Sequence, residues 1–206
     1  MKNITAILYM CFFCMTLPLG DALVRVLTEN GLSVPQIIWV RSIVIISILF
    51  PFLWRQKDLS LAKKLWPSYV LRSLFFFFAV FSWLSVLKYV ELPQLYSVGF
   101  TAPILASIAS VFILKETLNQ RKIIGLIGGF IGTLIIIRPG FSSFNLYLLV
   151  PLFCAFNWAA AMVISKKLSK TESPLKLTFY LSSSFIVLSS PMVMLNWTEP
   201  SLLAWG

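Results

Sequence analysis

Four charged residues interrupt long apolar runs of this sequence: Asp21, Arg25, Arg41 and Arg72. A charge at the centre of a bilayer costs about 2.5–3.5 kcal/mol on insertion scales, so such side chains usually face a partner or a cavity. Asp21 and Arg25 are four residues apart, which allows an ion pair on one helical face. The alternative is that Asp21 lines a cavity, where a carboxylate among aromatic rings would suit a cationic ligand.

The other buried charges have two interpretations each. Arg41 either snorkels to the membrane surface or faces a cavity, as a gate or as a bidentate ligand for a carboxylate. For Arg72 we favour snorkelling toward the headgroups. Glu116 follows an apolar run beside Lys115, where a carboxylate opposes the helix dipole. We interpret Glu116 as a structural or gating residue and not as a ligand of a substrate.

Polar and aromatic residues at the depth of the membrane centre are further candidates. Taken singly, each is explained more readily by packing or hydrogen bonding between helices than by ligand contact. Taken together, they predict a cavity of mixed aromatic and polar character. The candidate substrate contacts are Asp21, Arg41, Trp83, Tyr96, Ser97, Asn157 and Tyr180.

Several kinds of chemistry are excluded or disfavoured. The chain has no histidine, and its three cysteines all fall inside apolar runs, where packing is the expected role. No nucleotide-binding P-loop, serine-hydrolase elbow or zinc-protease motif occurs. We therefore expect no enzymatic activity, no metal and no cofactor, and any active transport must be driven by an ion or exchange gradient.

The composition indicates an all-α, polytopic membrane protein. Of the 206 residues, 59% are hydrophobic and only 12% are charged, whereas soluble domains carry roughly 25% charged residues. A span needs about 20 apolar residues. We predict seven spans: Ile4–Leu27, Pro35–Trp54, Trp66–Lys88, Pro93–Leu114, Lys122–Ile137, Leu146–Ile164 and Pro174–Asn196.

The basic residues set the predicted orientation. They concentrate in alternate connections, which argues for the cytoplasmic side of a membrane and against a nucleic-acid partner. The predicted cytoplasmic set is Lys2, Arg55, Lys57, Lys63, Lys64, Lys115, Arg121, Lys122, Lys166, Lys167, Lys170 and Lys176. Only Arg25, Lys88 and Arg138 fall on the other side. The N-terminus is therefore predicted to be cytoplasmic.

The stretch from Phe100 to Gly140 carries a more specific pattern. Pro103 lies in the fourth span, where a transporter helix would bend. The fifth span holds two overlapping G-x-x-x-G patterns, which let another helix backbone approach closely. Their glycines are Gly125, Gly128, Gly129 and Gly132. With Glu116 and the closing Arg138-Pro139, this stretch resembles the EamA family of the drug/metabolite transporter superfamily.

The resemblance implies a bacterial inner-membrane carrier that works by alternating access. Such carriers have ten helices in two inverted five-helix repeats. Residues 1–140 would form the first repeat and residues 141–206 an incomplete second repeat. A weak internal match supports this division, because Ser33–Pro35 corresponds to Glu172–Pro174 at an offset of 139 residues.

The resemblance also suggests a substrate, a small organic metabolite. Gly20-Asp21, Arg41, the Leu71–Leu74 stretch, Ser82-Trp83 and Ser165–Lys167 are similar to the branch that takes up S-adenosylmethionine. Two alternatives stay open: an exporter of amino acids or drugs with the same fold, and a truncated membrane protein that does not transport. The truncated alternative is based on the three helices that are missing from the expected ten. Two copies could also pair as a homodimer and so complete a pathway.

Overall fold

The computed structural model describes residues 2–56, 63–115, 119–137, 147, 149–195 and 197–199. Within these ranges the regular elements are all helices. They are α1 (Lys2–Glu29), α2 (Val34–Gln56), a 3₁₀ turn (Lys63–Leu65), α3 (Trp66–Val86), α4 (Leu92–Gly99), α5 (Thr101–Leu114), α6 (Gln120–Ile137), α7 (Leu149–Leu168) and α8 (Pro174–Leu195).

This architecture confirms the predicted all-helical membrane bundle. Six stretches of the described chain are long and apolar enough to cross a membrane, and α4 and α5 together make one of them. The helix at the predicted fifth span, α6, contains a shorter apolar segment, Ile123–Gly132. The order of the spans along the chain is as predicted.

The fourth span is interrupted one turn before Pro103. Helix α4 ends at Gly99 and α5 begins at Thr101, so Pro103 lies in the first turn of α5. Proline has no N–H to donate to the carbonyl four residues earlier, which here belongs to Gly99. The missing bond explains the position of the break. By contrast, α1 continues as one helix through Pro18.

Helix α3 lies at the centre of the packing. It packs mainly on α7, while α2 packs on α8 and α5 on α7. The principal apolar cluster contains Ile38, Phe77, Leu84, Val86, Leu87, Val90 and Leu95. Most of it comes from the second half of α3 and the turn that follows. Helix α1 buries little of its surface.

Arg72 joins α3 to both α7 and α8. Its Nε donates to Ser165 Oγ at 2.6 Å and a terminal nitrogen donates to the Leu177 carbonyl at 3.1 Å. The guanidinium lies 5.1 Å from the centre of the Phe76 ring. Only 6% of Arg72 is exposed. The expectation of snorkelling is therefore wrong, because oxygens from two neighbouring helices satisfy the charge inside the bundle.

A second polar connection lies at the opposite end of the bundle. The side-chain amide of Gln36, at the start of α2, donates to the Thr198 carbonyl at 3.0 Å and accepts from the Thr198 hydroxyl at 2.8 Å. Trp39 Nε1 donates to Ser190 Oγ at 3.2 Å. Polar contacts of this kind fix the register of α2 against α8 where apolar side chains alone would not.

Ser165→Ala should destabilise the bundle by about 1 kcal/mol, because it removes an acceptor from the buried Arg72 charge. The matched control is Ser107→Ala. Both serines donate to the carbonyl four residues back, but the Ser107 hydroxyl accepts no bond from another helix of the described chain. Thermal unfolding in detergent is the measurement. Equal midpoints for the two variants would show that the Arg72 contact does not hold these helices together.

Candidate functional site

One carboxylate oxygen collects hydrogen bonds from two other helices. Asp21 Oδ2, in α1, accepts from Trp83 Nε1 of α3 at 2.9 Å and from the Tyr96 hydroxyl of α4 at 2.6 Å. The Trp83 and Tyr96 rings meet edge to face, with centroids 5.3 Å apart. We call Asp21, Trp83 and Tyr96 the Asp21 cluster. The structure brings together three of the residues that the sequence singled out.

The ion pair that the sequence allowed between Asp21 and Arg25 does not form. Arg25 instead donates to Glu29 Oε1, one turn further on, at 3.1 Å. Both partners are partly exposed there, at 35% and 54% of their side chains. Asp21 is directed toward the indole and the phenol, which reach it from inside the bundle. The four-residue spacing allows an Asp21–Arg25 pair, but Glu29 is the better-placed acceptor for Arg25.

Gly99 makes the close packing of the Asp21 cluster possible. A Cβ placed on Gly99 would lie 3.0 Å from two atoms of the Trp83 ring. Sequence reasoning missed this residue. A signal was available, because Gly99 follows Tyr96 by three residues and so shares its helical face. The glycine thus admits the indole against the end of α4.

The Asp21 cluster is electrostatically suited to a cation. Its two donors are neutral, so they stabilise the carboxylate without cancelling its charge. In the described part of the chain, no basic side chain lies within ion-pair distance of Asp21. Aromatic faces beside a carboxylate are a common environment for ammonium-like groups. The arrangement offers recognition of positive charge.

Within the described chain, Arg41, Ser97 and Asn157 form no hydrogen bond with the Asp21 cluster. Arg41 is exposed and makes no hydrogen bond or ion pair with the described residues. Ser97 donates to the Gln94 carbonyl of its own helix. Asn157 is buried and donates to the Phe153 carbonyl at 2.8 Å.

Tyr180 belongs to a second place, a cavity of about 370 Å³ between α3 and α8. We call it the α3–α8 cavity. The Tyr180 ring meets the Tyr69 ring edge to face, with the ring centroids 5.4 Å apart. The lining residues are Trp66, Tyr69, Val70, Ser73, Leu74, Tyr180, Ser183, Ser184, Val187 and Leu188. Of these, the sequence analysis named Tyr180 as a candidate contact, and Ser73 and Leu74 within the Leu71–Leu74 stretch.

The expected close packing at the glycines of α6 is not observed. A Cβ on Gly125, Gly128, Gly129 or Gly132 would meet no atom within 4 Å, outside the helix's own backbone. Within the described chain, helix α6 touches α4 and α5 only lightly. Glu116 and Arg138-Pro139 lie outside the described residues.

Comparison with known proteins assigns the chain to a family. The profile of the EamA-like transporter family matches residues 4–138. The chain belongs to this family. Together with the six apolar helices of the described chain, membership of this transporter family indicates a multi-pass membrane protein.

Curated relatives with two different substrates in their names resemble the chain. An S-adenosylmethionine uptake transporter of Rickettsia prowazekii is 32% identical over 133 residues, which cover 65% of this chain and 45% of the relative. A riboflavin transporter of Brucella anthropi is 26% identical over 175 residues (85% and 60%). A riboflavin transporter of Vibrio cholerae is 29% identical over 178 residues (84% and 59%). The chain spans about half the length of these relatives.

The fold also occurs in a solved structure. One crystal structure superposes with a TM-score of 0.66 and 20% sequence identity, and the match covers 90% of this chain and 69% of that chain. At this identity the similarity concerns the fold alone. It supports the helical arrangement described above.

Gly99→Val should displace the Trp83 ring and destabilise the chain by about 1–3 kcal/mol, the usual cost of overpacking. Gly125→Val is the matched control, since a Cβ there meets nothing. Both changes put the same β-branched residue into an apolar helix. The thermal midpoint in detergent is the readout. A loss of stability as large in the control as at Gly99 would contradict the packing described for the Asp21 cluster.

Proposed function

We propose that the chain serves secondary-active transport of a small organic metabolite across a bacterial inner membrane, with uptake of S-adenosylmethionine as the first candidate. The observation that carries this proposal is the carboxylate of Asp21, held by two aromatic donors and free of any basic partner in the described part of the chain. A charge at such a depth marks a functional site by default.

The chemistry of this cluster favours a cationic substrate over a neutral one. S-adenosylmethionine carries a sulfonium and an ammonium group, and either can be attracted by the Asp21 carboxylate and the Trp83 and Tyr96 rings. Riboflavin is uncharged near neutral pH and gains less from a carboxylate. The uptake named for the Rickettsia prowazekii relative agrees with this choice.

Riboflavin is the second candidate, and a different observation supports it. The matches to the riboflavin transporters extend over 175 and 178 residues, against 133 for the Rickettsia prowazekii relative. They cover more of this chain. The α3–α8 cavity, which is largely apolar and lined by three aromatic residues, would suit a large neutral ring.

The proposed mechanism is alternating access between two inverted repeats, residues 1–140 and 141–206. The polar connection of α2 with α8 supports it, because these helices occupy corresponding places in the two proposed repeats. With the N-terminus in the cytoplasm, Asp21 would lie in the outer half of the membrane. As the chain spans about half of its relatives, the carrier is proposed for the product that the source cell makes, or for a homodimer.

Cells that make this product should take up labelled S-adenosylmethionine, and Asp21→Asn should lower that uptake at least tenfold. The substitution keeps the shape of the side chain and removes its charge, and a hydrogen bond to a charged group contributes about 1.5–3 kcal/mol. The control is Glu29→Gln, which removes an exposed carboxylate further along the same helix.

Uptake of labelled S-adenosylmethionine and of labelled riboflavin is compared at equal amounts of protein in the membrane. Uptake of riboflavin alone would move the assignment to the second candidate. No uptake of either compound above the vector control would contradict the transport proposal. Efflux from loaded vesicles without uptake would support a carrier but make it an exporter.

A further inference from the structure

The α3–α8 cavity lies near the end of the bundle where α3 and α8 begin. Its volume of about 370 Å³ is within the range of roughly 300–1,000 Å³ that is usual for small-molecule sites. One wall is the first part of α3, from Trp66 to Leu74, and the other is α8 from Tyr180 to Leu188. It is separate from the Asp21 cluster, because the ten residues from Ser73 to Trp83 correspond to about 15 Å of helix.

Ser73, on the α3 wall, has a hydroxyl that no described residue satisfies. Ser73 is 2% exposed, and its Oγ makes no hydrogen bond. Other serines of the bundle, such as Ser42 on α2 and Ser85 on α3, donate to the carbonyl four residues back. Ser73 does not make this bond. An unsatisfied buried hydroxyl is costly, so its persistence beside a cavity points to a missing partner.

Tyr69, one turn before Ser73, strengthens the pattern. It is 3% exposed, and its hydroxyl meets no acceptor with good hydrogen-bond geometry, although the Glu172 carboxylate lies close enough for a weak hydrogen bond. Two buried hydroxyls on the same face of α3 thus line one cavity. Each can donate or accept one hydrogen bond after a small rotation of the side chain.

The α8 wall supplies acceptors, and the cavity supplies aromatic surface. Ser183 and Ser184 donate to carbonyls of their own helix at 2.9 Å, which leaves lone pairs on both oxygens free to accept. Trp66, Tyr69 and Tyr180 also line the space. Acceptor oxygens beside aromatic side chains fit a flat ring that carries N–H or O–H groups.

We propose that the α3–α8 cavity binds a planar, nitrogen-containing heteroaromatic ring, and that Ser73 is one of its polar contacts. This inference rests on the proposed transport function, since it names the class of substrate group that the inner half of the carrier takes. A lipid chain would fill the apolar surface but leave the Ser73 hydroxyl unsatisfied. A heteroaromatic ring would both cover the apolar surface and form hydrogen bonds with the hydroxyls.

Adenosine is the probe, because it offers a planar ring without the positive charge that the Asp21 cluster would recognise. Binding of labelled adenosine to the purified chain in nanodiscs should be saturable. Ser73→Ala should weaken it about fivefold, as expected for the loss of one hydrogen bond, without lowering the thermal midpoint of the free chain. Ser184→Leu should abolish binding by filling the cavity, and Glu29→Gln on α1 should leave binding unchanged.

Ser107→Ala and Ser107→Leu are the controls for these two serine variants, because Ser107 lies on α5 and does not line the cavity. Binding that survives both Ser73→Ala and Ser184→Leu overturns the proposal, as does the absence of saturable binding. So does loss of binding when the lipid fraction is raised, which identifies a lipid as occupant. Cavity-dependent binding without uptake in cells would support the binding site and contradict the transport proposal. Uptake without such binding would support transport and contradict the binding site.

Discussion

A carboxylate inside an apolar bundle needs donors, and the donors of Asp21 determine how three helices meet. Both bonds go to the same oxygen, from Trp83 on α3 and Tyr96 on α4. This geometry requires α4 to pass close to the indole, which Gly99 permits. The helix then breaks before Thr101, because Pro103 cannot complete the bond to the Gly99 carbonyl. The hydrogen bond to Asp21 and the break between α4 and α5 therefore both involve the last turn of α4.

Helix α3 carries the polar constraints of both halves of the bundle. Near its start, Arg72 is held by oxygens from α7 and α8. Near its end, Trp83 holds the carboxylate of α1. Three of the seven buried residues in the principal core cluster also come from α3, namely Phe77, Leu84 and Val86. A carrier that rocks would change contacts along such a helix, and the two proposed binding places lie at different levels along it.

The sequence was sufficient for the fold class and for part of the candidate site. Apolar runs report the spans directly, because a bilayer fixes their length. Helical spacing allowed an Asp21–Arg25 pair, but it could not show that Trp83 and Tyr96 come from other helices to the same oxygen. The burial of Arg72 depends on oxygens that α7 and α8 present to it. The sequence does not show these partners, so snorkelling was predicted. A motif such as G-x-x-x-G permits close approach without specifying which helix approaches, and no atom of the described chain lies within 4 Å of a Cβ built on the α6 glycines.

The central claim is that the Asp21 cluster recognises positive charge on the substrate. The most direct measurement compares the affinities of S-adenosylmethionine and of its uncharged thioether, S-adenosylhomocysteine, by competition binding on the full-length product in nanodiscs. The two molecules differ by a methyl group and the sulfonium charge. The account predicts at least tenfold tighter binding of the sulfonium, about 1.4 kcal/mol, and loss of that preference in Asp21→Asn. Equal affinities in the parent protein would contradict it.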